Sequence, residues 1–343
     1  MTKLFEPFTI KGVTFKNRVV MPPMCQYMVE TKDGIVNDWH MQHYVSRAVG
    51  GVGAIIIEMT GIEPDGQITN QDLGLWSDKQ IPALKDLVEK IHTQGTKVGI
   101  QIGHAGRKAE DANPPVAPSP IPFAEDWKTP HELTLEEIEK LISKFQETVQ
   151  RAITSGVDFI ELHGAHGYLI HQFHSPLTNH RKDNYGKDFS LFGCDVIHAV
   201  KKVMPEDMPL VFRISAREYH PEGYGLAHIL PIIKKYQEAG VDVFHVSTGG
   251  ESEYAPKNLF AGYQAPFANK IKEFTNLPTI AVGLLGEPEV ANAVIESNCA
   301  DLVAIGRSIL ADPYWTLHAE YQLTDKVHSP TPYVRGFNRH FLK

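Results

Sequence analysis

The 343-residue chain has little cysteine. Cys25, Cys194 and Cys299 are odd in number and far apart, which excludes a disulfide framework and a CxxC metal or cluster site. It has no excess of positive charge. Lys and Arg number 33 against 41 Asp and Glu, a formal charge of −8, and this argues against broad electrostatic capture of nucleic acid or anionic membrane. It has no long apolar run, since no uncharged stretch approaches the ~18 residues of a membrane span. Residues 1–7 carry no apolar signal-peptide core. A cytoplasmic location is expected, with neither nucleic acid nor membrane as a partner. No low-complexity tract or linker interrupts the chain, and no GxGxxG follows the first strand, which speaks against a doubly wound dinucleotide fold.

Short Val/Ile-rich runs are abundant instead. Eight of them, at 18–21, 54–62, 97–104, 157–164, 209–216, 241–248, 278–283 and 302–307, are apolar at successive positions, as strands covered on both faces are. Amphipathic stretches lie between them. Leu84, Leu87, Val88 and Ile91 form one stripe. Leu135, Ile138, Leu141, Ile142 and Phe145 form another behind a Thr134/Glu137 capping box. Eight strands each followed by a helix predict an α/β chain folded as a (β/α)₈ TIM barrel, a single domain over 1–343. Residues 105–131, after the third strand, form an insertion. Its Pro-rich core, 113–122, is expected to be an ordered cap rather than a helix.

Active sites of such barrels lie at the C-terminal ends of the strands, and here those ends carry a coherent set. The fourth gives His163, His166 and Tyr168. Two imidazoles donate hydrogen bonds to an oxygen, and a phenol delivers a proton. A satisfied His pair is the bland alternative, and a metal site with His171 and His174 is the other. The fifth strand carries Arg213 within an apolar run. An interior Arg needs an anion, which a structural carboxylate or an electron-rich cofactor ring supplies. Gln101, on the third strand, both donates and accepts. Gly283, Gly306 and Arg307 sit where barrels build phosphate sites, or else Gly306-Arg307 is a helix-entry turn. A flat redox cofactor with a phosphate tail satisfies these demands, and FMN is the obvious candidate. An isomerase or aldolase acting on a phosphorylated substrate through Lys108 is the rival, although Lys108 reads equally as a solvated loop charge.

The motifs Lys16-Asn17-Arg18-Val19-Val20-Met21, Pro23-Met24-Cys25-Gln26-Tyr27, Gln101-Ile102-Gly103-His104-Ala105-Gly106-Arg107-Lys108, His163 through Tyr168, Ser175 through Arg181 and Ile305-Gly306-Arg307, taken in order, resemble the Old Yellow Enzyme family of FMN-dependent ene-reductases. The resemblance spans essentially the whole chain and is closest to the thermophilic-like bacterial branch. It implies that Pro22, Pro23, Met24, Cys25, Met59, Gln101 and Arg213 surround the flavin, and that Gly283, Gly306 and Arg307 hold the FMN phosphate. It implies that His163 and His166 bind the substrate oxygen, Tyr168 supplies the proton and Tyr27 lines the pocket. NADPH or NADH is then the reductant, and the oxidant an alkene conjugated to a carbonyl or nitro group, in a ping-pong cycle of hydride transfers. It also implies a homodimer or homotetramer in which the tail, 331–343, lends Arg335 to the neighbouring subunit's site. Two departures stand out. Residues 187–194 are shorter than the branch pattern, and Met59 stands where a small residue is usual.

Overall fold

A computed structural model describes residues 2–337. All eight expected strands form, as β1 Val19–Met21, β2 Ala54–Gly61, β3 Lys97–Gly103, β4 Phe159–Gly164, β5 Leu210–Ser215, β6 Val243–Ser247, β7 Thr279–Val282 and β8 Leu302–Ala304. They close into a barrel in chain order, β8 beside β1, with every neighbouring pair parallel. Helices α1 Asp38–Val49, α2 Ile81–His92, α3 Leu135–Thr154, α4 Leu191–Lys201, α5 Leu226–Ala239, α6 Ala265–Thr275, α7 Pro288–Glu296 and α8 Trp315–Thr324 follow the strands in turn. Among the described residues no helix is long and apolar enough to cross a membrane.

Side chains alternate across each strand, and this sorts the core into two layers. Outward residues such as Ile160, Leu162, Leu210, Phe212 and Ile214 join the large cluster under the helices. Phe159, Val211, Val243, Ile280 and Leu302 point inward and pack on a hairpin, Phe8–Ile10 with Val13–Phe15, that closes one end of the barrel. Phe15 meets Phe159 edge to face at 5.8 Å. Above this floor the inward positions turn polar: Glu161 and His163 on β4, Arg213 and Ser215 on β5, His245 and Ser247 on β6. The strands that read as uniformly apolar therefore aim their few polar residues at the open C-terminal mouth.

The Thr134/Glu137 capping box forms as expected, and Ile138, Leu141 and Phe145 are buried. Leu135 departs from the expected stripe. It is 53% exposed at the first position of the helix, where the axis has not yet turned its face to the core. The shortened stretch 187–194 is orderly. Asn184–Lys187 makes one helical turn capped by Asp183, and Asp188 ties down Ser190 just ahead of α4. The insertion holds a 3-10 turn, Gly106–Lys108, and a two-residue ladder, Val116–Ala117 beside His131–Glu132. Phe145→Ala should lower unfolding free energy by about 3–5 kcal/mol, while Leu135→Ala should stay within about 0.5 kcal/mol. Urea unfolding of the two variants against wild type checks the contrast.

Candidate active site

The loop after β4 carries the histidine pair. His163 is buried, and burial, with the Arg213 charge next, holds its imidazole well below the usual pKa. The Ala165 N–H donates to its Nδ1 at 3.3 Å. The proton of the neutral ring therefore sits on Nε2. His166 adopts a left-handed φ of 60°. Its backbone N–H donates to Ser215 Oγ at 3.1 Å, and its Nε2 lies 2.8 Å from Ser247 Oγ. Burial and then Arg213 depress its pKa as well. The two rings stand 5.3 Å apart and nearly perpendicular. Tyr168 packs edge-on to His163 at 4.7 Å, and burial pushes its phenol well above the usual range, so it keeps its proton. Each imidazole retains one ring nitrogen with no protein partner among the described residues, Nε2 of His163 and Nδ1 of His166, and neither is sealed from solvent.

Close packing of two loops sets this geometry. Gly167 has φ 77°, and a Cβ there would sit 2.3 Å from the Gly250 carbonyl oxygen. The Gly167 N–H donates to His171 Nδ1 at 2.9 Å, and Gln172 Nε2 donates to the Gly167 carbonyl at 2.7 Å. Lys108 Nζ donates to the carbonyls of His166 and Gly250, both at 3.1 Å. Lys108 is thus a loop clamp rather than a solvated charge, and burial lowers its pKa to about 8.

Below the loop, Glu161 accepts from Gln101 Nε2 at 2.7 Å and pairs with His245 Nδ1 at 2.7 Å. Arg213, 8% exposed, makes no side-chain hydrogen bond or ion pair with any described residue, and its Nε is sealed from water. No carboxylate pairs directly with Arg213, although the charge of Glu161 acts on it. A buried guanidinium with no hydrogen-bonded anion favours an electron-rich partner. The donor set fits a flavin ring.

The β1 loop and the β2 end form another wall. Pro22 and Pro23 are buried, Met24 and Cys25 are half-buried, and Tyr27 is 42% exposed with φ 54°. Burial, then the nearby Asp72 and Glu58, push the Cys25 thiol up, so it is no thiolate. A register shift between Ile57 and Thr60 splits two neighbours, as bulges beside sites do. Glu58 turns to Tyr44 on α1 and to the Gln26 N–H, at 2.7 and 2.9 Å. Met59 turns toward Gly103, and packs with Ala105, Ala109, Cys25 and Tyr168. On the far side, Gly283 (φ 115°), Gly306 and Arg307 line a cavity of about 500 Å³ with Gln264, Leu285 and Ser308. A Cβ on Gly306 would lie 3.6 Å from Met24 Sδ, so this cavity adjoins the β1 wall. Arg307 is exposed at its rim.

Arg335 stands apart. It is exposed on a 3-10 segment, Thr331–Phe337, a correction to the irregular tail expected there. Three residues per turn leave no amphipathic stripe to read. Ring contacts of Phe337 with His318 and Tyr321 tie the segment to α8, and Tyr333 meets Tyr314 just ahead of it. The remainder of the tail, including Phe341, lies outside the described residues.

Sequence reasoning missed Glu161 and His245, although a charge inside an apolar strand, the signal that found Arg213, was present for both. It also missed the buried network around His171. Glu218 Oε1 is 3.2 Å from His171 Nε2, and Glu251 Oε2 is 3.4 Å from Nδ1, while Arg107 pairs with Glu251 at 2.8 Å. His171, Glu218 and Glu251 have metal-ligand chemistry. Yet the Gly167 N–H occupies one ring nitrogen and Tyr224 Oη adjoins the other, and His174 is spent on Tyr236. The expected metal rivals are structural partners of the loop. Glu58 offers a test of the β2 wall. Burial raises its pKa from 4.5 to about 8, so the folded protein keeps a proton that the unfolded chain releases. That contribution to stability is full at low pH and is lost as pH rises toward 8. Thermal melts should show Glu58→Gln gaining a few degrees on wild type between pH 5 and 8 and levelling above that; a gap constant with pH would contradict the assignment.

The model of the NADH:flavin oxidoreductase / NADH oxidase family matches residues 3–326. NADPH dehydrogenase of Geobacillus thermodenitrificans (strain NG80-2) is 45% identical over 340 residues, 98% of this chain and 99% of that protein. NADPH dehydrogenase of Listeria monocytogenes serotype 4a (strain HCC23) is 46% identical over 341 residues, 98% of this chain and 100% of the relative. The solved structure of morphinone reductase in complex with tetrahydroNAD is 26% identical, covers 96% of this chain and 93% of its own, and superposes with a TM-score of 0.79. The chain therefore belongs to the NADH:flavin oxidoreductase / NADH oxidase family of FMN-dependent oxidoreductases.

Proposed function

We propose that this NADPH-linked flavoenzyme is an ene-reductase, reducing the C=C bond of alkenes conjugated to a carbonyl or nitro group in a ping-pong cycle. One observation carries the reading: two neutral imidazoles, each with an open ring nitrogen, stand beside a phenol that keeps its proton. Neutral donors stabilise negative charge that develops on an acceptor oxygen. When bound, FMN accepts hydride from NADPH or NADH and donates hydride to the alkene. His163 and His166 hold the acceptor oxygen, and Tyr168 delivers its hydroxyl proton to Cα. Arg213 and Gln101 would hold the flavin ring, together with Pro22, Pro23, Met24, Cys25 and Met59. Gly283, Gly306 and Arg307 hold the phosphate. Tyr27 lines the substrate pocket, and residues 105–131 cap the mouth. The whole chain acts as one barrel domain. The Lys108 aldolase reading is set aside, because Lys108 is committed to two carbonyls.

The protein should purify yellow with about one FMN per chain, and Arg307→Ala should weaken FMN binding by about tenfold or more. Stopped-flow separation of the half-reactions tests the chemistry. His163→Ala and Tyr168→Phe should each slow reoxidation by an enone by about 10²-fold, more than they slow reduction by NADPH. Tyr168→Phe should spare a quinone acceptor, and equal loss on both would refute its proton-donor role.

We further infer a homodimer, alone or paired into a tetramer, in which Arg335 enters the partner's site. An Arg exposed on a segment pinned by ring contacts to Tyr314, His318 and Tyr321 supports this, and two-fold symmetry makes the exchange reciprocal. Mixing Arg335→Ala with Tyr168→Phe chains should restore activity in mixed dimers. A monomer of full activity in solution would exclude sharing.

A further inference from the structure

Ser247, at the inward end of β6, has a role that the site description leaves open. Its Oγ lies 2.8 Å from His166 Nε2 and 3.3 Å from Gln264 Oε1. A hydroxyl carries one proton, so two patterns meet these contacts: Ser247 donates to Gln264 Oε1 while accepting from His166 Nε2–H, or it donates to His166 Nε2. Gln264 is held in a fixed orientation by donating from Nε2 to the Val282 carbonyl at 3.1 Å, which turns Oε1 toward the two hydroxyls. That oxygen already accepts from Thr248 Oγ1 at 2.6 Å, and Thr248 Oγ1 in turn accepts from Tyr219 Oη at 3.0 Å. Gln264 Oε1 is already served by Thr248 and lies at a long 3.3 Å from Ser247, whereas an imidazole nitrogen at 2.8 Å is the stronger acceptor, and this favours donation from Ser247 to His166 Nε2.

We infer that Ser247 is a positioning residue that fixes the tautomer of His166. By donating to Nε2 it places the ring proton on Nδ1, the nitrogen that remains open. Ala165 does the same for His163 with the opposite sense, filling Nδ1 and leaving the proton on Nε2. The pair then presents two N–H donors to one acceptor oxygen. With the His166 proton on Nε2 instead, a lone pair would face that oxygen and repel it. The left-handed backbone of His166 and its N–H bond to Ser215 fix the main chain from which the ring reaches Ser247.

The inference rests on the oxygen-binding role proposed above, but its first readout does not depend on turnover. Holoenzyme labelled with ¹⁵N-histidine, examined by long-range ¹H–¹⁵N correlation with His166→Gln as the assignment control, should show the His166 proton on Nδ1. In Ser247→Ala that proton should move to Nε2 or exchange between the two nitrogens, while Ser247→Thr, which keeps the hydroxyl, should retain the wild-type pattern. In steady state with cyclohex-2-enone, Ser247→Ala should raise KM by about tenfold with a smaller change in kcat, and Ser247→Thr should recover most of the loss. A wild-type His166 protonated on Nε2, or an alanine variant with unchanged tautomer and KM, would overturn the assignment. A wild type that reduces no enone would sink the ene-reductase reading and leave the tautomer result standing.

Discussion

Removing a guanidinium from water without a hydrogen-bonded anion costs several kcal/mol in a protein interior. Arg213 makes no direct ion pair: Glu161, whose charge acts on it from nearby, spends its oxygens on Gln101 and His245. The same unpaired guanidinium reaches the site groups around it, after burial itself. It helps keep His163 and His166 neutral, and it draws the Tyr168 phenol partly back from the rise that burial causes. On the proposed reading, a bound ring able to carry negative charge answers this guanidinium, and cofactor binding and the tuning of His163, His166 and Tyr168 then depend on the same buried ion.

Much of the fold was legible because the signals were local. Val/Ile runs, the Thr134/Glu137 box and the helical stripes each lie within one element, and the strands fell within a few residues of expectation. The errors are instructive. Reading the strands as apolar on both faces hid Glu161 and His245, since in a barrel the inner face is apolar only near the floor that Phe15 and Phe159 close. The bulge between Ile57 and Thr60 sends Glu58 and Met59 to opposite sides, and periodicity carries no mark of a single extra residue.

The positions of His163, His166 and Tyr168 at a strand end were readable; their protonation states were not. Those states depend on partners far away in sequence: Ser247 for His166, Arg213 for both imidazoles, and Gly250 for the backbone path through Gly167. Such pairings arise only when β4, β5 and β6 lie side by side. Chemistry by residue type was therefore visible in one dimension, and chemistry by proton position required three.

The Arg107–Glu251 pair has a consequence for how such barrels diversify. Arg107 also donates to the carbonyls of Ile121, Pro122 and Glu251, and its neighbour Lys108 bridges the carbonyls of His166 and Gly250. The segments after β3, β4 and β6 are thereby riveted at their roots, and His180 and Arg181 tie the insertion at Ser119 and Pro118 to the segment after β4 as well. A transplanted β3 loop lacking this cation pair would strand the Glu251 carboxylate in the interior. The smallest exchangeable module at this mouth is a trio of loops.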